Sequence, residues 1–280
     1  MSLYAIRGTE QFEEHALKHR PKLGQNFLVD HAACVAVTDA LGDVSKSTVV
    51  EIGPGRGAIT QLLVQRAGRL IAIELDRELV ARLRAQFANR SSMEVVEANV
   101  LEVDLAAMRQ GDERLVVVGN LPYYITSEIL LRLFAFHAAI SRAVVMVQRE
   151  VADRVAAAPG TREYGLLSAT AQLYARVESV LTLPPGAFRP TPEVHSRVLR
   201  LTMDPRFDEL GVEPESFIRF LKASFAQKRK TLAKNLRAAR IAGDSIGTAM
   251  EAAGIPPFAR AEEVELERMA ALWKNLRQEI

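Results

Sequence analysis

Cysteine is nearly absent from this chain of 280 residues, which contains only Cys34. One cysteine excludes an intramolecular disulfide and a cysteine-rich zinc site, and it fits a reducing compartment. The 5 histidines lack the spacing of metal ligands, so no metal ion is expected. The N-terminus is polar and no stretch reaches the roughly 18 unbroken apolar residues of a membrane span, so we expect a cytoplasmic protein.

Net charge is also small, because 36 Lys and Arg residues are offset by 34 Asp and Glu residues to give +2. A hydrophobic fraction of 49% with 25% charged residues is typical of a globular protein that buries a sizeable core. This composition excludes a disordered or fibrous chain. The length allows one large domain or two ordinary ones.

Short β-branched runs alternate with segments of helical periodicity up to Met203. Such alternation predicts an α/β fold in which helices cover both faces of a parallel sheet. Two later strand-like runs flank a proline-rich segment and suit an antiparallel pair at one edge of that sheet. The predicted strands begin at Thr48, Leu70, Met93, Leu115, Ala143, Val177 and Ser196.

The pattern changes after Met203, where the run DPRFDELGVEP is typical of a linker and no further strand pattern follows. We therefore expect a first domain over residues 1–203, with an N-terminal extension over 1–22, and a smaller all-helical domain over 204–280. The predicted helices of the second domain cover residues 215–225, 228–240, 244–253 and 262–276.

Basic residues are concentrated in the predicted helical domain. Residues 219–240 include eight Lys and Arg and no Asp or Glu, which gives this window a charge of +8. Leu232 and Leu236 recur at helical spacing, so a packed helix is expected to hold the charges outward as a surface for phosphate groups. A merely solvated helix face is the alternative. The candidate RNA-binding residues are Lys222, Lys228, Arg229, Lys230, Lys234 and Arg237, while Lys18, His19, Arg20 and Lys22 form either a second contact or a frayed end.

A glycine-rich turn, EIGPGRGAIT, follows the first predicted strand. Gly53 and Gly55 permit positive φ angles and the close approach of a ligand, and Glu74 ends the next strand where an acid binds ribose hydroxyls. The pattern fits a dinucleotide, S-adenosylmethionine or a turn without a ligand. Glu51 favours S-adenosylmethionine, because a second negative charge near a pyrophosphate would be unfavourable.

The fourth predicted strand ends in GNLPYYITSEIL, at the carboxyl edge of the sheet where open α/β folds bind ligands. The side-chain carbonyl of Asn120 and the backbone carbonyl of Pro122 would accept hydrogen bonds from an adenine amino group and aim its lone pair at a methyl donor. Tyr123 would stack on the base and fix the plane of attack. Together with Leu121, these residues predict amino-methyl transfer, and an ordinary strand-ending turn is the alternative.

Several longer strings extend this interpretation. In chain order they are KLGQNFLVD, VVEIGPGRGAIT, IAIELD, NLPYYIT, QREVADR, PPGAFRPTPEVHSRVLRL, KRKTLAKNL and RAEEVELERMAAL. In these strings the sequence resembles the S-adenosylmethionine-dependent rRNA adenine N6-dimethyltransferases, and among them the bacterial small-subunit enzymes, over nearly the whole chain. The resemblance implies a Rossmann-like class I methyltransferase sheet of seven strands with a smaller C-terminal all-helical domain. It also implies dimethylation of two adjacent adenosines in the 3′-terminal hairpin of 16S rRNA during small-subunit maturation.

The resemblance assigns cofactor-binding roles to individual residues. Asn26 and Leu28 match a segment that closes over the cofactor. Gly53 and its neighbours, Gly55 among them, match the turn on the methionine side, and Glu74 matches the ribose-binding acid.

The remaining matches lie around the reacting groups. Asn120 matches a residue that contacts both the cofactor and the target amine, and Tyr123 matches the base-stacking aromatic. Phe188 matches a second aromatic beside the target base, with a hydrophobic plug under a proline loop as the alternative. Asn99 stands where the family usually has Asp, at a position that binds the amino group of the cofactor's adenine. Its side-chain oxygen is still an acceptor, so we expect the role to persist with weaker affinity.

Three other functions are compatible with some of these sequence motifs. A 23S rRNA adenine methyltransferase of the macrolide-resistance type has the glycine turn and a similar Asn-Leu/Ile-Pro-Tyr motif, but the FRPTPEVHSRVLRL and RAEEVELERMAAL strings favour the small-subunit enzyme. A ribosome assembly factor and a nicotinamide-dependent dehydrogenase are the others, and the dehydrogenase would need an acid-base group that the sequence does not offer. The expected partner is 16S rRNA in pre-30S particles, with no membrane contact. Nothing suggests an obligate oligomer, so a monomer is expected.

Overall fold

The computed structural model describes residues 26–241, 243 and 245–277. The N-terminal extension expected over residues 1–22, with its basic residues Lys18, His19, Arg20 and Lys22, lies outside the described residues. None of the helices within the described ranges combines the length and apolarity needed to cross a bilayer.

Strands in the described chain form one large sheet and one small one. They are β1 (Phe27–Leu28), β2 (Thr48–Ile52), β3 (Arg69–Glu74), β4 (Met93–Glu97), β5 (Leu115–Asn120), β6 (Ile140–Gln148), β7 (Ala175–Leu183), β8 (Phe188–Arg189) and β9 (Ser196–Met203). The large sheet has the order β4-β3-β2-β5-β6-β9-β7, and β1 pairs with β8 separately. The first five strands of this order are parallel, and β9 is antiparallel to both of its neighbours. The predicted α/β class and the antiparallel edge pair are therefore confirmed.

Helices cover both faces of the large sheet. Successive strand residues point to opposite faces, so Val49 lies in one apolar cluster and Val50 in the other. The helices are α1 (His31–Asp39), α2 (Thr60–Arg66), α3 (Arg77–Gln86), α4 (Thr126–Ala135), α5 (Arg149–Val155), α6 (Leu166–Tyr174), α7 (Phe207–Leu210), α8 (Pro214–Ser224), α9 (Leu232–Ala238), α10 (Ile246–Ala252) and α11 (Leu266–Arg277). Buried side chains of α1 and α2 pack on the Val49 face, and those of α4, α5 and α6 pack on the Val50 face.

The helix predicted over residues 228–240 is wrong over its first four residues. The structure begins α9 at Leu232, because Thr231 has an extended backbone and its side chain accepts a hydrogen bond from the N–H of Lys234 as the N-cap. Residues 228–230 therefore form a turn before the helix. Asn235 holds this turn in place, since its buried Nδ2 donates to the backbone carbonyls of Ser224 at 2.7 Å and Gln227 at 3.2 Å.

The segment expected to be a linker is packed into the core. Phe207 and Leu210 of α7 are buried in one apolar cluster with residues of α8, α9, α10 and α11. The same cluster includes Tyr164 and Leu173 from the part of the chain that precedes β7. The helical region and α6 therefore share a continuous core, which the expected boundary at residue 204 does not divide.

Candidate active site

A pocket lies at the carboxyl ends of β2, β3 and β5, beside the point between β2 and β5 where the strand order reverses direction. Its volume is about 1070 Å³ with the open mouth included. The lining brings together residues 26–28, 51–56 and 120–125, with contributions from Glu74 and Asn99. The structure thus brings most of the predicted site residues to one place.

Residues 26–28, here called the strap, cross the glycine turn. Gly55 has a φ of +58°, and a Cβ atom at this position would lie 2.8 Å from Cδ1 of Phe27. The guanidinium of Arg56 lies 4.7 Å from the centroid of the same ring. Leu28 is buried and lines the pocket beside Asn26. Glycine is thus required at position 55 by both the backbone conformation and the closeness of the strap.

The carboxylate of Glu74 is held by backbone amides. Its Oε2 accepts from Gly55 N–H at 3.1 Å, and its Oε1 accepts from Leu75 and Asp76 N–H at 2.9 and 3.1 Å. A carboxylate has about four acceptor positions, so one remains for a donor in the pocket. The orientation of Glu74 is therefore set before a ligand binds, as suits an acid that binds hydroxyl groups.

Glu51 is a second acid in the pocket wall and is almost completely buried. Burial raises the pKa of Glu51 to about 7, an effect opposed by a hydrogen bond from Thr60 Oγ1 at 2.7 Å and reinforced by the charge of Glu74. A cationic ligand would favour the ionised form of this carboxyl group. The pocket is accordingly suited to a positively charged molecule with hydroxyl groups.

The side chain of Asn120 is fixed by the strap. Its Nδ2 donates to the backbone carbonyl of Asn26 at 2.7 Å. A carbonyl can only accept, so this contact defines which end of the amide is nitrogen. Its Oδ1 accepts no hydrogen bond from the described residues and remains available to an amino group in the pocket.

The predicted role of Pro122 is wrong. Its carbonyl accepts from Thr126 Oγ1 at 2.9 Å and from Ile125 N–H at 3.3 Å, which uses both lone pairs. Thr126 is the first residue of α4, so the start of this helix occupies the Pro122 carbonyl, which is then not free to bind a group in the pocket. The carbonyl of Leu121, one residue earlier, accepts no hydrogen bond from the described part of the chain.

Two tyrosines stand at the pocket. Tyr123 is half-buried, and its hydroxyl lies 3.1 Å from Ser196 Oγ, which ties the ring to the start of β9. Tyr124 is 51% exposed and lines the mouth. Partial burial raises the pKa of Tyr124, with a smaller contribution from the charge of Glu74. The predicted stacking residue Tyr123 is therefore held through its hydroxyl group, whereas Tyr124 was not recognised from the sequence.

Phe188 does not face the pocket, contrary to the prediction. Its side chain is fully buried in the apolar cluster that also contains Leu28 and Ala187. The pairing of β8 with β1 places Phe188 opposite Leu28, and this pairing turns the ring into the core. The hydrophobic plug, the alternative named above, describes its position.

Asn99 lines the pocket but is already hydrogen-bonded on both sides of its amide. Its Oδ1 accepts from Leu101 N–H at 3.0 Å, and its Nδ2 donates to Glu102 Oε1 at 3.0 Å. One acceptor position on Oδ1 remains for a ligand. The proposed contact with an adenine amino group is geometrically open.

The basic residues of the helical region lie apart from the pocket. Lys222 is on α8, Lys234 and Arg237 are on α9, and residues 228–230 form the turn between them. All six candidate RNA-binding residues are exposed, and none of the six is within ion-pair distance of a carboxylate in the described ranges. Lys228 Nζ donates to the carbonyl of Arg162 at 3.0 Å, which ties the turn to the segment before α6.

Comparison with known proteins identifies one family for this chain. The family model for ribosomal RNA adenine dimethylase matches residues 16–278. The ribosomal RNA small subunit methyltransferase A of Acidobacterium capsulatum is 64% identical over 259 residues, covering 92% of each chain, and that of Koribacter versatilis is 54% identical over 271 residues, covering 92% of this chain and 95% of the relative.

Two solved structures have a similar fold over most of the chain. A dimethyladenosine transferase from Plasmodium falciparum superposes with a TM-score of 0.74 at 20% identity, over 90% of this chain and 98% of the other. The 23S rRNA methyltransferase ErmE superposes with a TM-score of 0.68 at 25% identity, over 90% of this chain and 100% of the other.

Proposed function

The chain belongs to the ribosomal RNA adenine dimethylase family, and on this premise we propose that it dimethylates two adjacent adenosines in the 3′-terminal hairpin of 16S rRNA. The observation that carries the proposal is the fixed amide of Asn120 beside Tyr123 in a pocket with two acids. The small-subunit assignment is supported by two relatives of that name at 64% and 54% identity.

S-adenosylmethionine is the methyl donor of the family, and the pocket fits it. Glu74 would hold the ribose hydroxyls, Gly53 and Gly55 would line the methionine side, and Asn99 would accept from the adenine amino group. Asn26 and Leu28 would cover the bound molecule from the strap. When bound, this cofactor supplies a methyl group on a sulfonium that leaves as a neutral thioether. Its positive charge matches the acids Glu51 and Glu74.

Within the proposed mechanism the protein orients the target amine. Asn120 Oδ1 accepts one N6 hydrogen, and the free carbonyl of Leu121 is the acceptor that we propose for the other, in place of Pro122. These two bonds draw the amine toward tetrahedral geometry and direct its lone pair into the pocket. Tyr123 holds the plane of the base by stacking, and Ser196 fixes that ring. No proton-abstracting base is needed before attack, and the methylated nitrogen releases one N6 proton to solvent after the new N–C bond has formed.

The rRNA strand would be held outside the pocket by the basic residues Lys222, Lys228, Arg229, Lys230, Lys234 and Arg237. Their exposure and the lack of carboxylate partners in the described ranges support this role, because neutralised phosphates release counterions. We further propose that the substrate is 16S rRNA within pre-30S particles in the cytoplasm, and that the enzyme acts as a monomer. Sedimentation of the protein at working concentration tests the monomer.

Methyl transfer from labelled S-adenosylmethionine tests the proposed function directly. Undermethylated 30S particles and free 23S rRNA are offered in parallel, and the modified bases are mapped. We expect paired N6,N6-dimethyladenosines near the 3′ end of 16S rRNA. Modification of 23S rRNA alone would move the protein to the resistance-type enzymes. Tight binding without transfer would identify an assembly factor.

A further inference from the structure

Phe258 is the most exposed large hydrophobic side chain among the described residues, at 83%. It lies in the sequence IPPFAR, between α10 and the short 3-10 helix Ala261–Glu263. Its neighbours Ile255 and Ala259 are buried in the core of the helical region. The exposed ring is thus carried by a loop that is anchored on both sides.

Backbone hydrogen bonds hold this loop in a defined shape. Ile255 N–H donates to the carbonyl of Met250 at 2.9 Å, and Ala259 N–H donates to the carbonyl of Pro256 at 3.0 Å. The consecutive prolines 256 and 257 restrict φ at both positions. The ring is therefore presented to solvent with little backbone entropy left to lose on contact with a partner.

The loop is joined directly to the basic turn. The carbonyl of Ala259 accepts a hydrogen bond from the N–H of Leu232 at 2.9 Å. Leu232 is the first residue of α9, and the turn 228–230 ends two residues before it. With consecutive Cα atoms about 3.8 Å apart, the Cα atoms of Phe258 and Lys230 are no more than ~18 Å apart. The loop that carries the aromatic ring is therefore close to the basic turn.

The groove beside the ring is not itself basic. It is lined by Pro256 and Val264 with one acid and one base, Glu263 and Arg268. Glu263 Oε2 accepts from the backbone N–H of Arg260 at 2.8 Å, and the guanidinium of Arg268 donates to the carbonyl of Gly254 at 3.2 Å. One acid and one base give the groove no net formal charge, so this place suits a flat uncharged group better than a phosphate.

We propose that Phe258 is a stacking platform for an unpaired base of the rRNA strand whose phosphates bind the basic turn. A strand held by its phosphates on an exposed basic surface presents its bases to nearby aromatic rings, and a base has an apolar face that matches the phenyl ring. The positive charge of the basic turn complements the phosphates of an RNA strand. This inference rests on the proposed function, because it assumes that rRNA is the substrate.

Binding of the full-length protein to deproteinised 16S rRNA, measured over a series of salt concentrations, tests the platform. Phe258→Ala should weaken binding by about 5- to 150-fold without changing the salt dependence, because stacking releases no counterions. Lys230→Ala should reduce the slope of log K against log salt by about 0.7. Val180→Ala removes an exposed apolar side chain on the edge strand β7 and should change neither quantity.

Phe258→Trp adds a readout that a purely structural role would not affect. The variant should keep wild-type affinity, and its indole fluorescence should be quenched when RNA binds, against the background of the buried Trp273. Thermal melting of each variant should match that of the wild type, since the ring contributes little to the core.

Two outcomes would overturn the platform. The first is wild-type RNA affinity for Phe258→Ala in a protein that still transfers methyl groups to rRNA. The second is a loss of affinity for small-subunit particles with no loss for deproteinised rRNA, which would assign the ring to a protein partner. If the wild type itself neither binds nor methylates undermethylated 30S particles, the proposed function fails instead, so the two failures are distinguishable.

Discussion

Replacing Gly55 with alanine would test whether the strap and the glycine turn depend on each other. The new methyl group would be placed at a φ of +58°, which costs a non-glycine residue about 1–2 kcal/mol. It would also lie 2.8 Å from the ring of Phe27, an overlap whose relief typically costs about 1–3 kcal/mol. Movement of Phe27 would disturb the pairing of β1 with β8 and the bond from Asn120 to Asn26. We therefore expect a total cost of about 2–5 kcal/mol, divided between folding and cofactor binding.

A double-mutant cycle separates the two contributions. Phe27→Ala removes the ring that the new methyl group would meet, so the combined variant should retain only the backbone strain. Urea denaturation and calorimetric titration with S-adenosylmethionine, on the two single variants and the double variant, should reveal a coupling of about 1–3 kcal/mol. Strictly additive effects would show that the ring does not lie against the turn, and the reasoning would be refuted.

Four further changes have defined outcomes. Because the pKa of Glu51 is raised from 4.5 to about 7, the folded protein retains a proton that the unfolded chain releases, and stability should fall as the pH rises between these values. Glu51→Gln should abolish that fall, which is on the order of 3 kcal/mol and can be followed by melts at several pH values. An unchanged pH profile in the variant would contradict this reasoning. Tyr123→Phe should lower kcat less than ~10-fold through loss of the Ser196 contact, whereas Tyr123→Ala should lower methyl transfer about 5- to 150-fold, and equal losses would argue against stacking. Asn99→Ala should weaken cofactor binding by about 5- to 10-fold in a calorimetric titration, and an unchanged affinity would remove Asn99 from the site. Alanine at all three positions 228–230 should lower the salt slope of RNA binding by about 2 with cofactor affinity intact, and an unaltered slope would count against that surface.

Local patterns were sufficient to predict the α/β fold. A buried parallel strand needs an apolar side chain on both faces, so the runs at Val49 and Val116 could be recognised without knowledge of their neighbours. The glycine turn and Asn120 could be placed at one sheet edge because the carboxyl ends of parallel strands meet there. Those predictions depended only on periodicity and on the order of elements.

Contacts between distant segments could not be predicted in the same way. Phe188 turns inward because β8 pairs with a strand of two residues at the other end of the chain, and no periodicity marks so short a pair. The bond from Asn120 to Asn26 joins positions 94 residues apart. The start of α9 at Leu232 could have been predicted, because Thr231 is a favourable N-cap residue and stands in the sequence directly before it.

The shared core of α6 and the helical region has a consequence for how a substrate is chosen. Tyr164 and Leu173 pack with Phe207 and Phe217, so the proposed RNA-binding surface shares a core with α6, which also packs on the sheet. Lys228 adds a direct tie between that surface and the carbonyl of Arg162. On the proposed function, we therefore expect the distance between the RNA-binding surface and the pocket to be fixed. The enzyme would then select nucleotides that lie at one distance along a folded RNA, and one added base pair between the two points should displace the target from the pocket.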